Sequence, residues 1–409
     1  MYHSRLLVVL VCLFFTAISC KNDSSSPVGS GTTDPWVTGQ SAEGIFGRPD
    51  FTTDVSVLVG RNTIPNPYGL ALTGDGTLFV ADQGGYRVLR FNNATSKPNG
   101  DSADGVLGQP DFTSKTWNYP SGTSAVSAAG FSAPLGVAVD NNGTLYVLDG
   151  NSRVLRYNNA ASKPNGAEAD GVLGQLTFTT NNFGTTASTF FSPQNIAIDA
   201  NGNLYVADGS NNRVLRFNNA AQKANGASAD AVLGQADFTT GTGDTSATKM
   251  KNPTSLAIDN QGNLYVGERG NCRVLIFLNA AAKANGAAAD IVLGKSTFTD
   301  GSTPTLGSSS AIQLPYQIAV DENRNLYVAD GGFNRVMVFY NAPSLANGAP
   351  ANVVLGKSNF TDISTTSASS ANVGQPFGVA VHSTSGNLFV SCYSNERVLR
   401  FKAKSNLHP

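Results

Sequence analysis

Charge is scarce in this sequence. Of 409 residues only 13% are Asp, Glu, Lys or Arg, and 27 basic residues against 28 acidic ones leave a net charge of −1. A nucleic-acid binder needs a basic stripe to neutralise phosphates, and this composition offers none. Histidine and cysteine are as rare, at three and four residues, which leaves little for zinc ligation or thiol chemistry. Helical periodicity is missing beyond single turns in the Asn-Ala-Ala-x-Lys segments. What the chain does have is 41% apolar residues, enough to build a core and exclude wholesale disorder, and 43 glycines that signal many tight turns.

One apolar run, residues 6–18, follows the single Arg5. Its thirteen residues span about 20 Å as a helix, short of a hydrocarbon core of roughly 30 Å. They fit the hydrophobic region of a secretory signal. Ala17-Ile18-Ser19-Cys20 resembles a bacterial lipobox, with Ala17 where Leu is common. The expectation is cleavage after residue 19 and lipidation of Cys20. Ordinary signal-peptide cleavage is the alternative. Residues 20–41 are rich in Ser, Gly, Thr and Pro and read as a flexible tether. The implied address is the bacterial cell envelope, with lipid as the only membrane contact and neither leaflet nor side specified.

Residues 42–409 repeat themselves, which bears on the fold before any single motif does. One phrase recurs six times: Leu-Phe-Val-Ala-Asp at 78–82, Leu-Tyr-Val-Leu-Asp at 145–149, Leu-Tyr-Val-Ala-Asp at 204–208 and 326–330, Leu-Tyr-Val-Gly-Glu at 264–268, and Leu-Phe-Val-Ser-Cys at 388–392. Each precedes an Arg-Val pair, at Arg87, Arg153, Arg213, Arg273, Arg335 and Arg397, with spacings of 66, 60, 60, 62 and 62.

Each unit reads as four short strands. In the second unit they are 136–140, 145–148, Arg153–Tyr157 and 171–175, with Asn142-Gly143 turning the first hairpin. β-Branched and aromatic residues punctuated by Gly, Asn and Pro make an all-β meander. One four-stranded antiparallel sheet per unit, arranged about an axis, is a six-bladed β-propeller. The ends support closure. The chain finishes on a third strand, and the missing fourth strand stands at the other terminus, where residues 43–51 match 104–112. Pairing the two termini in one blade removes two open sheet edges. The expected partner of Ile45 is Val398.

The string Pro-x-Gly-Val-Ala-Val-Asp, then Asn-Gly-x-Leu-Tyr-Val-Ala-Asp, then Asn-x-Arg-Val-Leu-Arg-Phe resembles the NHL repeat, across residues 42–401. The added Asn-Gly excursion and the Val-Leu-Gly-Gln strand resemble a bacterial, envelope-associated branch. The resemblance implies a six-bladed propeller and, for most members, an interaction role. A few relatives are enzymes, among them a zinc lyase of peptide processing and, more distantly, sugar-lactone hydrolases.

Residues present in every unit are most simply structural. Asp82 with Arg87, Asp149 with Arg153, Asp208 with Arg213, Glu268 with Arg273 and Asp330 with Arg335 are expected to pair across the turn between second and third strands. Gly47, Gly108, Gly174, Gly234, Gly294 and Gly356 suggest a bulge or a close backbone approach. Asp199 to Asn203 begins like a calcium loop, but its Gly comes too early and no later acid completes it. It reads as a hairpin turn.

The departures from the pattern are Cys392 in place of an acid, His382 in place of Asp, and Cys272 beside Arg273. Cys392 and His382 belong to opposite ends of one blade, too far for a dyad. Cys272 and Cys392 sit two blades apart, too far for a disulfide. Without residues 1–19 only His382 and His408 remain, so a three-His zinc site is excluded. No catalytic residue, metal site or cofactor is assigned.

Long polar loops join the blades, at 52–66, 113–133, 179–192, 239–252, 299–314 and 361–375. The second carries Trp117, Tyr119 and Phe131. After each loop comes a Pro and then a position that varies: Tyr68, Leu135, Gln194, Thr254, Tyr316 and Phe377, with Asn195 and Ser255 next along. On a channel rim these would set an apolar arc against a polar one, suited to a neutral glycan, a peptide or a protein. Packing between blades is the competing reading of the same residues. The expectation is a monomeric, non-enzymatic binding module. The alternatives are a lactonase-like hydrolase holding a divalent metal through channel-mouth carboxylates and amides, and a purely structural envelope protein.

Overall fold

A computed structural model describes residues 34–53, 58–365 and 367–404. Cys20, the leader at 1–19 and His408 lie outside the described residues. Every described strand belongs to one of six four-stranded antiparallel sheets, the blades of a β-propeller. Blade 1 runs Pro67–Leu72, Leu78–Asp82, Arg87–Phe91 and Gly105–Leu107 from the axis outward. Blade 2 starts at Pro134–Val139, blade 3 at Asn195–Ile198, blade 4 at Pro253–Ile258 and blade 5 at Pro315–Val320. Blade 6 consists of Pro376–Val381, Leu388–Cys392 and Arg397–Phe401, completed by Gly44–Phe46 from the other end of the chain.

Each second strand is buried along its whole length because both its faces meet a neighbouring blade. Thus Phe79 and Ala81 pack toward blade 2, while Leu78 and Val80 pack toward blade 6. That two-sided burial explains near-continuous apolar strands in an antiparallel sheet, where alternation is the usual pattern.

The closing strand keeps the register of its siblings. Ile45 faces Leu399 and Phe46 faces Val398, one residue from the pairing expected in sequence. The equivalent pairs in blade 1 are Val106 with Leu89 and Leu107 with Val88. A shift by one would turn Ile45 and Phe46 onto the wrong faces of the sheet, and both are fully buried.

Packed chain also begins before residue 42. Trp36 is 1% exposed, donates Nε1–H to Tyr327 Oη at 2.9 Å and meets that ring edge to face. The stretch that follows has a structural role visible in the other blades. There, each Asn-Gly excursion clamps the outer strand of the preceding blade: Asn165 Oδ1 accepts from Val106 N at 3.1 Å, and Gly166 N donates to Val106 O at 3.1 Å. Asn99, Asn225, Asn285 and Asn347 accept equivalently. On the outer strand of blade 5, Thr38 Oγ1 accepts from Val354 N at 3.4 Å and Gly39 N donates to Val354 O at 3.0 Å. Thr38 and Gly39 therefore supply the sixth clamp from the N-terminal side.

The acid–arginine pairs do more than brace one turn. Arg87 Nε donates to Asp82 at 2.7 Å, while Nη2 donates to the carbonyls of Gly60 and Thr63, both at 2.9 Å, and Nη1 to that of Phe112. One fully buried guanidinium thus ties the end of the loop entering its blade to the start of the loop leaving it. Arg153, Arg213, Arg273 and Arg335 repeat this with Asp149, Asp208, Glu268 and Asp330. The second carboxylate oxygen takes loop N–H groups, as Asp330 does from Gln313 and Leu314 at 2.9 and 3.1 Å. Burial pushes the carboxyls of Asp82, Asp208, Glu268 and Asp330 above their ordinary range, against the pull of the arginine. Such pairs specify a loop path better than they add net stability.

The repeated glycines mark where each loop inserts an apolar plug. A Cβ on Gly108, at φ 87°, would lie 2.2 Å from the Phe131 ring. Ile64, Phe190, Met250, Ile312 and Val373 fill the same place in the other blades, all fully buried. Phe131, read in sequence as an aromatic of the second long loop, is therefore core.

Candidate binding site

Five of the six inner strands open on proline, which has no N–H to give and so tolerates the first strand position; that of blade 3 opens at Asn195, two residues after Pro193. The side chain after the proline emerges at the mouth of the axis, on the face carrying the blade-to-blade loops. From blades 5, 6 and 1 these side chains converge: the Tyr316 and Phe377 rings lie 4.0 Å apart and Tyr68 meets Phe377 at 4.9 Å. Tyr393, from the turn after Cys392, stacks on Phe377 at 4.3 Å. Phe377 is 9% exposed, and the three tyrosines are half-buried around it. Gly331 makes room, since a Cβ there would sit 2.4 Å from Tyr316 Cδ2.

Burial holds the Tyr68 phenol well above its ordinary value. The neighbouring phenols of Tyr316 and Tyr393 add to this and the Arg269 guanidinium opposes it. The hydroxyl is therefore neutral and able both to donate and to accept. Arg269 itself is exposed, with its guanidinium carbon 5.5 Å from the centre of the Tyr316 ring. Beside the aromatic cluster, between blades 5 and 6, lies a cavity of about 90 Å³ whose lining includes Asn334, Thr365, Gln375 and Ser394. Its polar groups are uncharged amides and hydroxyls.

The rings and this cavity make up a cup at the mouth, and a side chain of blade 5 ties its neighbours together. Gln317 of blade 5 accepts from Leu70 N at 3.2 Å and Val379 N at 3.1 Å, and donates to Leu70 O at 3.2 Å. A single amide thereby links blade 5 to blades 1 and 6.

The remaining rim residues expected from sequence do not join the cluster. Asn195 and Thr254 are buried and bridge blades: Asn195 Oδ1 accepts from Leu256 N at 3.2 Å, and Thr254 Oγ1 donates to Pro315 O at 2.7 Å. For these two the packing alternative is what the geometry supports. Leu135 packs against the core between blades 2 and 3. Gln194 donates to Ser192 O at 2.9 Å and stays on the rim. Trp117 is 40% exposed on its loop and makes no ring contact among the described residues.

On the opposite face, Asp259 and Asp321 border a cavity of about 180 Å³. Asp321 accepts from Asn325 N, Asn325 Nδ2 and Tyr327 Oη, each at 2.9 Å, and Asp259 is held in the same way by Asn263 and Tyr265. Their oxygens are engaged in turns. Asp199 likewise accepts from Asn201 N and Asn203 N, a hairpin turn as read in sequence. No group of three or more His, Cys, Asp or Glu among the described residues is placed to hold a metal ion. Cys272 and Cys392 are both free and buried, and burial pushes the Cys392 thiol up to about 11. His382 is at the far end of its strand, against Ser385 Oγ at 2.9 Å and Gly74 O at 3.2 Å.

Residues 190–217 and 250–277, the three inner strands of blades 3 and 4 with their approaches, match the NHL repeat, so the chain carries NHL repeats within its six-bladed β-propeller. No curated protein matches the sequence. Among solved structures, a protein of unknown function from Bacteroides thetaiotaomicron aligns with TM-score 0.52 and 16% identity over 91% of this chain and 75% of its own. Kuenenia stuttgartiensis hydrazine synthase aligns with TM-score 0.49 and 14% identity, over 86% and 98%. A streptogramin B lyase aligns with TM-score 0.46 and 13% identity, over 86% and 96%. At these identities the likeness is one of fold alone.

Proposed function

We propose that the protein is a non-enzymatic binding module, anchored in a bacterial envelope through lipid on Cys20, that captures a glycan on its loop face. The observation that carries this reading is the convergence of Tyr68, Tyr316, Phe377 and Tyr393 beside a cavity lined by uncharged amides and hydroxyls. Sugars offer flat C–H faces edged with hydroxyls. Aromatic rings suit the first, and amides, which both donate and accept, suit the second. A hydrolase would need free carboxylates near one point, and Asp259 and Asp321 are spent on turns.

Tyr327, which receives Trp36, is tied to Asp321 at the end of the inner strand opposite Tyr316, so Trp36 sits toward the face opposite the aromatic cluster.

The test is a glycan array followed by calorimetry on the protein and on the triple variant Tyr68→Ala, Tyr316→Ala, Phe377→Ala. Binding should disappear while the fold survives. Collapse of the fold, or binding that persists in the variant, would remove the support for the site.

A further inference from the structure

Arg269 has no counterpart at the mouth. It is the first residue after the acid that ends a second strand, where the sibling blades carry Gln83, Gly150, Gly209, Gly331 and Tyr393. Its guanidinium carbon lies over the Tyr316 ring, 5.5 Å from the centre, and its charge acts on the Tyr68 phenol. No acidic side chain pairs with it among the described residues. The carboxylates closest in the repeat are turned inward, Glu268 onto Arg273 and Asp330 onto Arg335. The other side chains that form the cup, from the tyrosines and Phe377 to Gln375 and Ser394, carry no charge. The cup therefore holds one uncompensated cation beside its ring faces.

We propose that the ligand is a glycan bearing a carboxylate on the sugar ring, a uronic acid, and that Arg269 reads that carboxylate. This rests on the site reading above and narrows its ligand. Over the Tyr316 ring the guanidinium makes no hydrogen bond or ion pair among the described residues, so its N–H groups are open to a ligand. A guanidinium is a planar fork matched to a planar carboxylate, which it binds through two parallel hydrogen bonds. A uronic acid supplies the three features the cup presents partners for: an apolar ring face, hydroxyls and one planar anion. With one cation over the rings among the described residues, the cup recognises a single uronate unit or a chain end rather than a run of charge. A lysine would supply charge without the fork, so the arginine itself is the specificity determinant.

The experiment is calorimetric titration of the whole protein with short oligomers of galacturonate, glucuronate, mannuronate and guluronate. Their methyl esters and the matching neutral oligomers serve as controls. Esterification removes the charge and leaves ring and hydroxyls in place. The expected result is that at least one acid series binds, its ester binds about 10-fold or more weakly, and Arg269→Gln erases the difference. Arg269→Lys should recover only part of it. Esters or neutral oligomers binding as tightly as acids, with Arg269→Gln unaffected, would overturn the inference. If that binding still falls in Phe377→Ala, the aromatic site survives as the glycan site. A sulfated oligomer preferred over every uronate overturns the carboxylate. Binding of no oligomer, acid or neutral, overturns the inference and the glycan reading together.

Discussion

Cys392 stands across from Arg397 in blade 6, in the place where five other blades set a carboxylate against the equivalent arginine, and Arg397 Nε is left without an oxygen acceptor. The rest of the guanidinium keeps its loop carbonyls, Phe51 at 2.6 Å, Ser369 at 2.9 Å and Asn372 at 2.8 Å. The blade that closes the ring is thus the one whose buried cation lacks its anion. Restoring the acid with Cys392→Asp should raise stability by about 1–3 kcal/mol. The converse change, Asp330→Cys, should lower it by about 3–5 kcal/mol. Urea unfolding at neutral pH compares the two, and a destabilised Cys392→Asp would mean that the thiol site cannot accept a carboxylate.

Closure depends on a short strand and on what precedes it. Deleting residues 43–51 should sharply lower the melting temperature, because Ile45 and Phe46 are fully buried and Phe51 O caps Arg397. Trp36→Ala should cost about 3–5 kcal/mol, as expected for a buried large side chain. Differential scanning calorimetry reads both. A melt unchanged by the deletion would contradict closure of the ring by the N-terminal strand.

Gly331→Ala separates binding from folding. The added methyl meets the Cδ2–Cε2 edge of the Tyr316 ring and comes within 3.2 Å of the Pro376 carbonyl. The ring can swing away at small cost to stability, but it then leaves the cluster. The variant should melt within a few degrees of the parent and bind ligand about 10-fold or more weakly. Equal binding would show that the position of Tyr316 does not matter.

Three exposed aspartates give the loops an acid limit. Asp50, Asp111 and Asp237 are each held down to about 2 by backbone N–H groups and hydroxyls two and three residues on, from Thr52 and Thr53, Thr113 and Ser114, and Thr239 and Thr240. A carboxyl lowered in the folded state adds stability that is present above its unfolded value near 4 and is lost as pH falls through the folded value. The turns should therefore hold at pH 4 and open toward pH 2. Carboxyl carbon NMR titration checks this, and midpoints near 4 would remove the effect.

The fold was legible because one phrase repeats and because the chain ends are out of phase with it. Ile64, Phe131, Phe190, Met250, Ile312 and Val373 could have been found as well, each a buried apolar residue in a polar loop shortly before a proline. The site was legible in part. Tyr68, Tyr316 and Phe377 differ from their siblings and do converge. Tyr393 fell outside the reading because it follows Cys392, in the phrase that departs from the pattern, although the same comparison one residue after each second strand picks out both it and Arg269. Asn195 and Thr254 misled because their partners are backbone groups of the next blade. Nothing local in a sequence announces a hydrogen bond to a strand some sixty residues away.

The position of Trp36 has a mechanical consequence. An edge strand pulled from its end peels one hydrogen bond at a time, and the closing strand here is only three residues long. A pull applied from the N-terminal side meets the indole in its socket first, then Gly39 on Val354, and only afterwards the strand that seals the ring. The toroid is strain-relieved at its cable entry, so such a pull loads a buried indole before it loads the seam.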